Sequence, residues 1–119
     1  MELRGLNHDL LGRLLSASTL RQRVIADNVA NQNTPGYRRQ EVAFEELLRE
    51  AFERGADDTG SVQAHIVPDL ATPGKPDGNN VNLESELAAA NQNRLLYEAY
   101  MNIGAMRMEL VRAAIQEGR

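Results

Sequence analysis

The chain has 119 residues, 42% of them hydrophobic but only 4% aromatic and none of them Trp, which fits one domain with no room for two independent cores. With no Cys it excludes a disulfide framework and any thiolate zinc or iron–sulfur site, and its longest apolar runs are too short to cross a bilayer. The formal charge of −4, without a basic stripe, excludes the usual nucleic-acid footprint.

The spacing predicts a long N-terminal helix over about 3–33. Apolar residues fall at Leu3, Leu6, Leu10, Leu14, Ala17, Leu20 and Val24, at helical intervals of three and four, and Pro is absent until Pro35. Pro35 bars the helical conformation for Thr34, and Pro-Gly suits the two central positions of a type II turn, so a turn is expected over 34–37. Asn28, Asn31 and Asn33 are poor helix-interior residues but good partners for the freed backbone groups of a helix end.

Residues 41–53 place Val42, Phe44, Leu47, Leu48, Ala51 and Phe52 at a spacing compatible with a short amphipathic helix that ends by Gly55. A Gly- and Pro-rich loop is expected over 55–81, with one short extended piece where Val62, Ala64 and Ile66 alternate before Pro68. Asn82 then reads as an N-cap, with Glu84 and Glu86 at the positive end of the helix dipole, and a second long helix should span about 83–117. Its heptad seam runs through Leu83, Leu87, Ala90, Arg94, Tyr97, Met101, Gly104, Met108, Val111 and Ile115, apolar or small everywhere except Arg94. A second row through Leu96, Tyr100, Ile103 and Leu110 makes the apolar face wider than one partner helix needs.

The fold class expected is therefore all-α, with two long antiparallel terminal helices in a coiled-coil-like pair, a short middle helix and a loop. At ~1.5 Å per residue such helices make a thin rod whose outer apolar rows stay wet, which implies neighbouring copies or other subunits.

The charges are laid out unevenly. Residues 1–39 carry six Arg against three acids, residues 40–58 two Arg against seven acids, and residues 59–119 five bases against seven acids. Ordinary solvated faces explain this layout, and head-to-tail complementarity between copies is the other reading. His8 beside Asp9 and His65 four residues before Asp69 do not make a catalytic set. Asp77, Asn79 and Asn80 superficially suggest a calcium loop, but Asn82 stands where its glycine belongs and Ala88 where its last acid belongs. No enzyme, cofactor or metal is expected.

The string ANQNTPGYRR, from Ala30 to Arg39, resembles the helix-exit motif of the bacterial flagellar rod and hook family of axial proteins. The helix-exit turn residues it implies here are Asn31, Asn33, Thr34, Pro35, Gly36 and Tyr37, with Asn28 just before the string. The approach to the C-terminal helix, Asp77, Gly78, Asn79, Asn80, Val81 and Asn82, together with Asn93-Arg94-Leu95-Leu96-Tyr97, is similar to the proximal-rod branch of that family. The sister rod protein FlgC typically has Gly-Tyr-Val and Pro-Asn-Val patterns there, which are missing here, and hook and distal-rod relatives are far longer. The middle matches only in its acidic Phe-Glu-Glu-Leu piece, and the linker is shorter than in many relatives.

The resemblance implies one axial-protein rod domain over 1–119, a structural subunit that packs with its copies into a tube transmitting torque and enclosing an export channel. It also implies contacts with FlgC, the adaptor FliE, the export apparatus and the membrane ring, without membrane insertion. Its expected place is the periplasmic basal body, reached by the flagellum's own type III secretion route, which agrees with an N-terminus lacking a secretory signal pattern. The reading from a different class is a soluble cytoplasmic coiled-coil dimer adaptor, which uses the seam but not the Thr-Pro-Gly-Tyr turn.

Overall fold

The computed structural model describes residues 8–55 and 62–118. Helix α1 spans His8–Ala30, strand β1 Gln40–Ala43, helix α2 Glu45–Glu53, strand β2 His65–Pro68 and helix α3 Leu83–Glu117. The two long helices run antiparallel: Asn28 near the end of α1 meets Glu86 at the start of α3, Ser18 meets Asn93, and Leu11 meets Gly104. The molecule measures 68 × 29 × 19 Å, with a radius of gyration of 18.1 Å. A compact chain of this length would have about 13.5 Å. The excess comes from α3, whose 35 residues rise roughly 52 Å.

Two rows of α1 are buried for different reasons. Leu10, Leu14, Ala17 and Val24 form the core with Val42 and Phe44, and Leu20, Leu48 and Tyr100 pack around it. Leu11, Ser18 and Ile25, spaced by seven, lie toward α3. Helix α1 is thus sandwiched between α3 and the β1–α2 segment. Gly104 permits the close approach of the helices, because a Cβ there would stand 3.3 Å from Leu11 Cδ2.

Several expectations need correction. The fold is mostly helical but not all-α, because β1 and β2 pair antiparallel, with Val42 opposite Ile66 and Gln40 opposite Pro68. The helix expected over 41–53 gives up its first residues to β1 and begins at Glu45, while the short extended piece expected in the 55–81 loop is present as β2, shifted to include Pro68. The reason is tertiary. A two-stranded ribbon is marginal alone, but Val42 is buried in the core, and Arg21 on α1 donates to Val42 O and forms a forked ion pair with Glu45 at 2.6 and 2.9 Å. Phe44 is 1% exposed at the N-cap of α2, so the chain turns from strand to helix about a buried ring.

Helix α1 ends at Ala30 rather than 33, with residues 31–33 in a turn. The N-cap reading of Asn82 matches the geometry, since its side chain accepts from Ser85 N. Most of the seam of α3 lies beside the contact with α1, and Gly104 is the seam position that faces Leu11 directly. The α3 residues buried against α1 are Glu86 and Asn93. Both are polar and held by partners far away in sequence, so apolar periodicity alone does not select them.

Candidate functional site: a polar clasp and a bare helix face

The end of α1 frees backbone groups that local side chains take up. Asn31 donates its amide to Asp27 O at 2.8 Å, and Thr34 Oγ1 donates to Asn31 Oδ1 at 3.1 Å. Tyr37 N then donates to Thr34 O, and Gly36 sits at φ +76°, where glycine is favoured, which closes the type II turn about Pro35 and Gly36.

This turn docks directly on the segment preceding α3, so the two motifs form one structure. Gly36 N donates to Asp77 O at 2.8 Å. Gly78, at φ +88°, comes so close that a Cβ on it would stand 3.4 Å from Gly36 Cα. Asn79 is fully buried; its amide donates to Asn31 O and Thr34 O, both at 2.8 Å, and its Oδ1 accepts from Val81 N. Asn80, also buried, accepts from Arg39 N at 2.6 Å and donates to Asp69 O and Thr72 O. Val81 is buried beside them, Asn82 caps α3, and Asn33 and Pro35 stay at the surface.

A second layer ties the clasp to the ribbon. Asn28, 0% exposed, accepts from Gln40 N at 2.9 Å and donates to Gln40 O at 2.9 Å, so that it pairs with the strand as another backbone would. It also accepts from Tyr37 Oη at 3.2 Å and donates to Glu86 Oε2 at 3.3 Å. Arg39 reaches three carboxylates: Glu86 at 2.6 Å, Asp69 at 2.8 Å and Glu41 at 2.6 Å.

Burial works against the Arg39 charge, but the hydrogen bonds to Glu86, Asp69 and Glu41 outweigh it and hold the guanidinium above its usual pKa. The Thr72 hydroxyl, Arg39 and the Thr72 and Ala71 amides hold the Asp69 carboxyl well below the usual carboxylate range. Burial, with Asp27 and Glu86 nearby, pushes the Tyr37 hydroxyl up. These charges are spent on one another, and the arrangement fixes the angle between α1, the ribbon and α3. Among the described residues no cluster of His, Cys, Asp and Glu is placed to hold a metal, and no helix is long and apolar enough to cross a membrane.

The sequence reading did not assign Arg39, Gln40, Asp69, Thr72 or Glu86 to this site. Asp69-Leu70-Ala71-Thr72 carried a usable signal, since Asp after a strand end often bonds amides two and three residues on. Arg39 closes the motif string and Glu86 lies in the acidic first turn of α3, but neither position signals that the two meet.

The residues expected to pack helices divide sharply. Leu10, Leu14 and Val24 are in the core, whereas Leu3 and Leu6 lie outside the described residues. On α3, Ala90 is half-buried, but Leu83, Leu87, Tyr97, Met101, Met108, Val111 and Ile115 are exposed, from 39% at Tyr97 to 62% at Ile115. Ala90, Tyr97, Met101 and Met108 line grooves with Leu15, Thr19 and Gly12 of α1. The ribbon lies along the opposite side, where Val24, Ile25, Gln40, Val42 and Ala89 share a cavity. The helix layer therefore has one covered face and one bare apolar face.

Residues 15–38, the second half of α1 and the turn, match a family model described as "Flagella basal body rod protein". The flagellar basal body rod protein FlgB of Borrelia hermsii is 32% identical, the alignment covering 98% of this chain and 100% of that protein. The FlgB of Borreliella burgdorferi is 32% identical over 82% of this chain and 86% of its own length. For the FlgB of Bacillus subtilis the identity is 32% over 75% and 77%. Similarity of this extent, running through both halves of the clasp and both long helices, shows that the chain belongs to the FlgB family of flagellar basal body rod proteins.

Proposed function

We propose that residues 1–119 act as one axial-protein rod domain in which the clasp sets the geometry of the helix pair and the bare face joins neighbouring subunits. As a member of the FlgB family the chain is a structural subunit of the flagellar basal-body rod and not an enzyme. In the proposed arrangement α1 and α3 act as a coiled-coil-like pair lining the inner part of a tube, and the ribbon, α2 and the loop face outward. The tube transmits torque and encloses the export channel. The neighbours are copies of the chain, FlgC distally, and FliE with the export apparatus and membrane ring proximally. The place is the periplasmic basal body, reached through the flagellar type III route.

The observation that carries this reading is the apolar row on α3, with Leu87, Met101, Met108 and Val111 about half exposed in the free chain. Monomeric proteins rarely leave so long a contiguous stripe in water. Methionines suit contacts that are only imperfectly equivalent from subunit to subunit. A cytoplasmic dimer adaptor would cover the stripe as well, but it has no use for a turn locked by Asn79 and Gly78.

Motility of cells carrying Pro35→Ala or Gly36→Val tests the reading. Both variants should abolish swimming while the soluble Pro35→Ala chain keeps its helical circular dichroism. Normal swimming with both would refute the role given to the turn.

A further inference from the structure

We infer that the groove between α1 and α3 at Tyr97 receives the acidic face of α2 from a second copy of this chain, so that copies join head to tail. This rests on the rod-subunit reading above and names the surfaces that meet. The groove, about 370 Å³, is lined by Thr19, Ala90, Arg94 and Tyr97, and Leu15 and Arg23 continue it along α1. Its rim is basic. Arg23 has no ion pair among the described residues, and Arg94 has only a 3.9 Å approach from Glu98 one turn on.

The floor of the groove is polar. Asn93 is 3% exposed and donates to Ser18 O and Gln22 Oε1, and its Oδ1 is buried with no hydrogen-bond partner among the described residues.

Helix α2 supplies the complementary surface. It carries Glu45, Glu46, Glu50 and Glu53 against the single Arg49, which Glu46 and Glu53 already hold. Glu50 has no such partner among the described residues, and Glu46, Glu50 and Glu53, at intervals of four and three, share one exposed face of the helix. A helix face of three carboxylates about one guanidinium complements a groove rimmed by two guanidiniums. The two surfaces also lie on opposite sides of the molecule, since α2 packs over the Leu10–Leu14–Ala17 row and the groove opens beyond Thr19 and Arg23. A contact between unlike surfaces does not close on itself as a two-fold dimer does, and it propagates as a ring or helix. A nine-residue helix buries less than the about 800 Å² per partner of a stable interface. Each contact is thus weak alone and holds when many are made together.

The absence of native Cys gives a clean test. Glu50→Cys and Arg94→Cys chains, both exposed substitutions, are mixed at assembling concentrations and oxidised. The inference expects a disulfide-linked dimer in the mixture and little in either variant alone. Adding Arg23→Glu to the Arg94→Cys chain should lower the yield roughly tenfold, and Glu46→Arg on the Glu50→Cys partner should restore it. Predominant Glu50→Cys homodimers, or a yield insensitive to the charge reversals, would overturn the inference. Chains that polymerise without this cross-link overturn the surface assignment and leave the rod reading standing. Chains that never associate overturn both.

Discussion

Asn28→Ala removes a side chain that is fully buried and makes four hydrogen bonds, to Gln40 N, Gln40 O, Tyr37 Oη and the Glu86 carboxylate. A neutral intramolecular hydrogen bond contributes about 1 kcal/mol net, one to a charged group about 1.5–3 kcal/mol, and a buried group left unpaired adds its own desolvation. Tyr37 retains an edge toward solvent and Glu86 keeps Arg39, so part of the loss is recovered. The sum is roughly 3–5 kcal/mol, a large share of the about 5–15 kcal/mol that holds an ordinary domain. For a chain of this size that shift lowers the thermal midpoint by at least about 10 °C. Asn33→Ala is the internal control: the same residue type three positions past α1, exposed, with an expected change within about 0.5 kcal/mol. Tyr37→Phe should lie between them, near 1 kcal/mol, and a double-mutant cycle with Asn28→Ala should show coupling. Urea or thermal melts followed by circular dichroism read all three. Equal midpoints for Asn28→Ala and Asn33→Ala would refute the account of the clasp.

Glu86→Ala should destabilise by about 3–5 kcal/mol, because Arg39 is only 18% exposed and loses the most deeply buried of its three carboxylates, whereas Glu86→Leu with Arg39→Met should recover much of that loss in the same melts. Asp69 has a depressed folded-state pKa, so its stabilisation is fully present above the ordinary carboxylate pKa near 4 and is lost progressively as pH falls from there toward the lower folded-state value. Melts from pH 7 down to pH 2 should therefore show a steeper acid loss for the parent chain than for Asp69→Asn, and parallel curves would contradict this. Gly78→Ala should cost about 1–2 kcal/mol, from a left-handed φ of +88° and the approach to Gly36, while Gly12→Ala, in open helix with nothing within 4 Å, should stabilise by about 0.5–1 kcal/mol.

Much of the architecture could be read from local chemistry. Helical spacing and the absence of proline mark α1, the Asn82 cap and acidic first turn mark the start of α3, and Thr-Pro-Gly-Tyr marks the turn. Each of those signals lies within a few residues of the feature it specifies. The β ribbon was hidden because Gln40–Ala43 is four residues long and exposes two of them, and its strand conformation depends on Asn28 and Arg21 reaching it from α1. The meeting of the two motifs was hidden for a like reason: Asn79 bonds Asn31 O and Thr34 O across more than forty residues. Heptad counting found the apolar row of α3 and missed that Glu86 and Asn93 occupy the contact with α1, since a buried carboxylate is tolerable only where an Arg39 awaits it.

The central claim is that the helix layer is only half covered in the free chain and completes itself by joining copies. Sedimentation velocity across a wide concentration range, with amide hydrogen exchange along α3 in each species, tests it most directly. The account predicts a monomer whose α3 amides exchange readily around Met101–Ile115, giving way to open-ended polymers in which the same amides are protected. A species of fixed size at every concentration, monomer or dimer, with α3 already protected throughout, would contradict it.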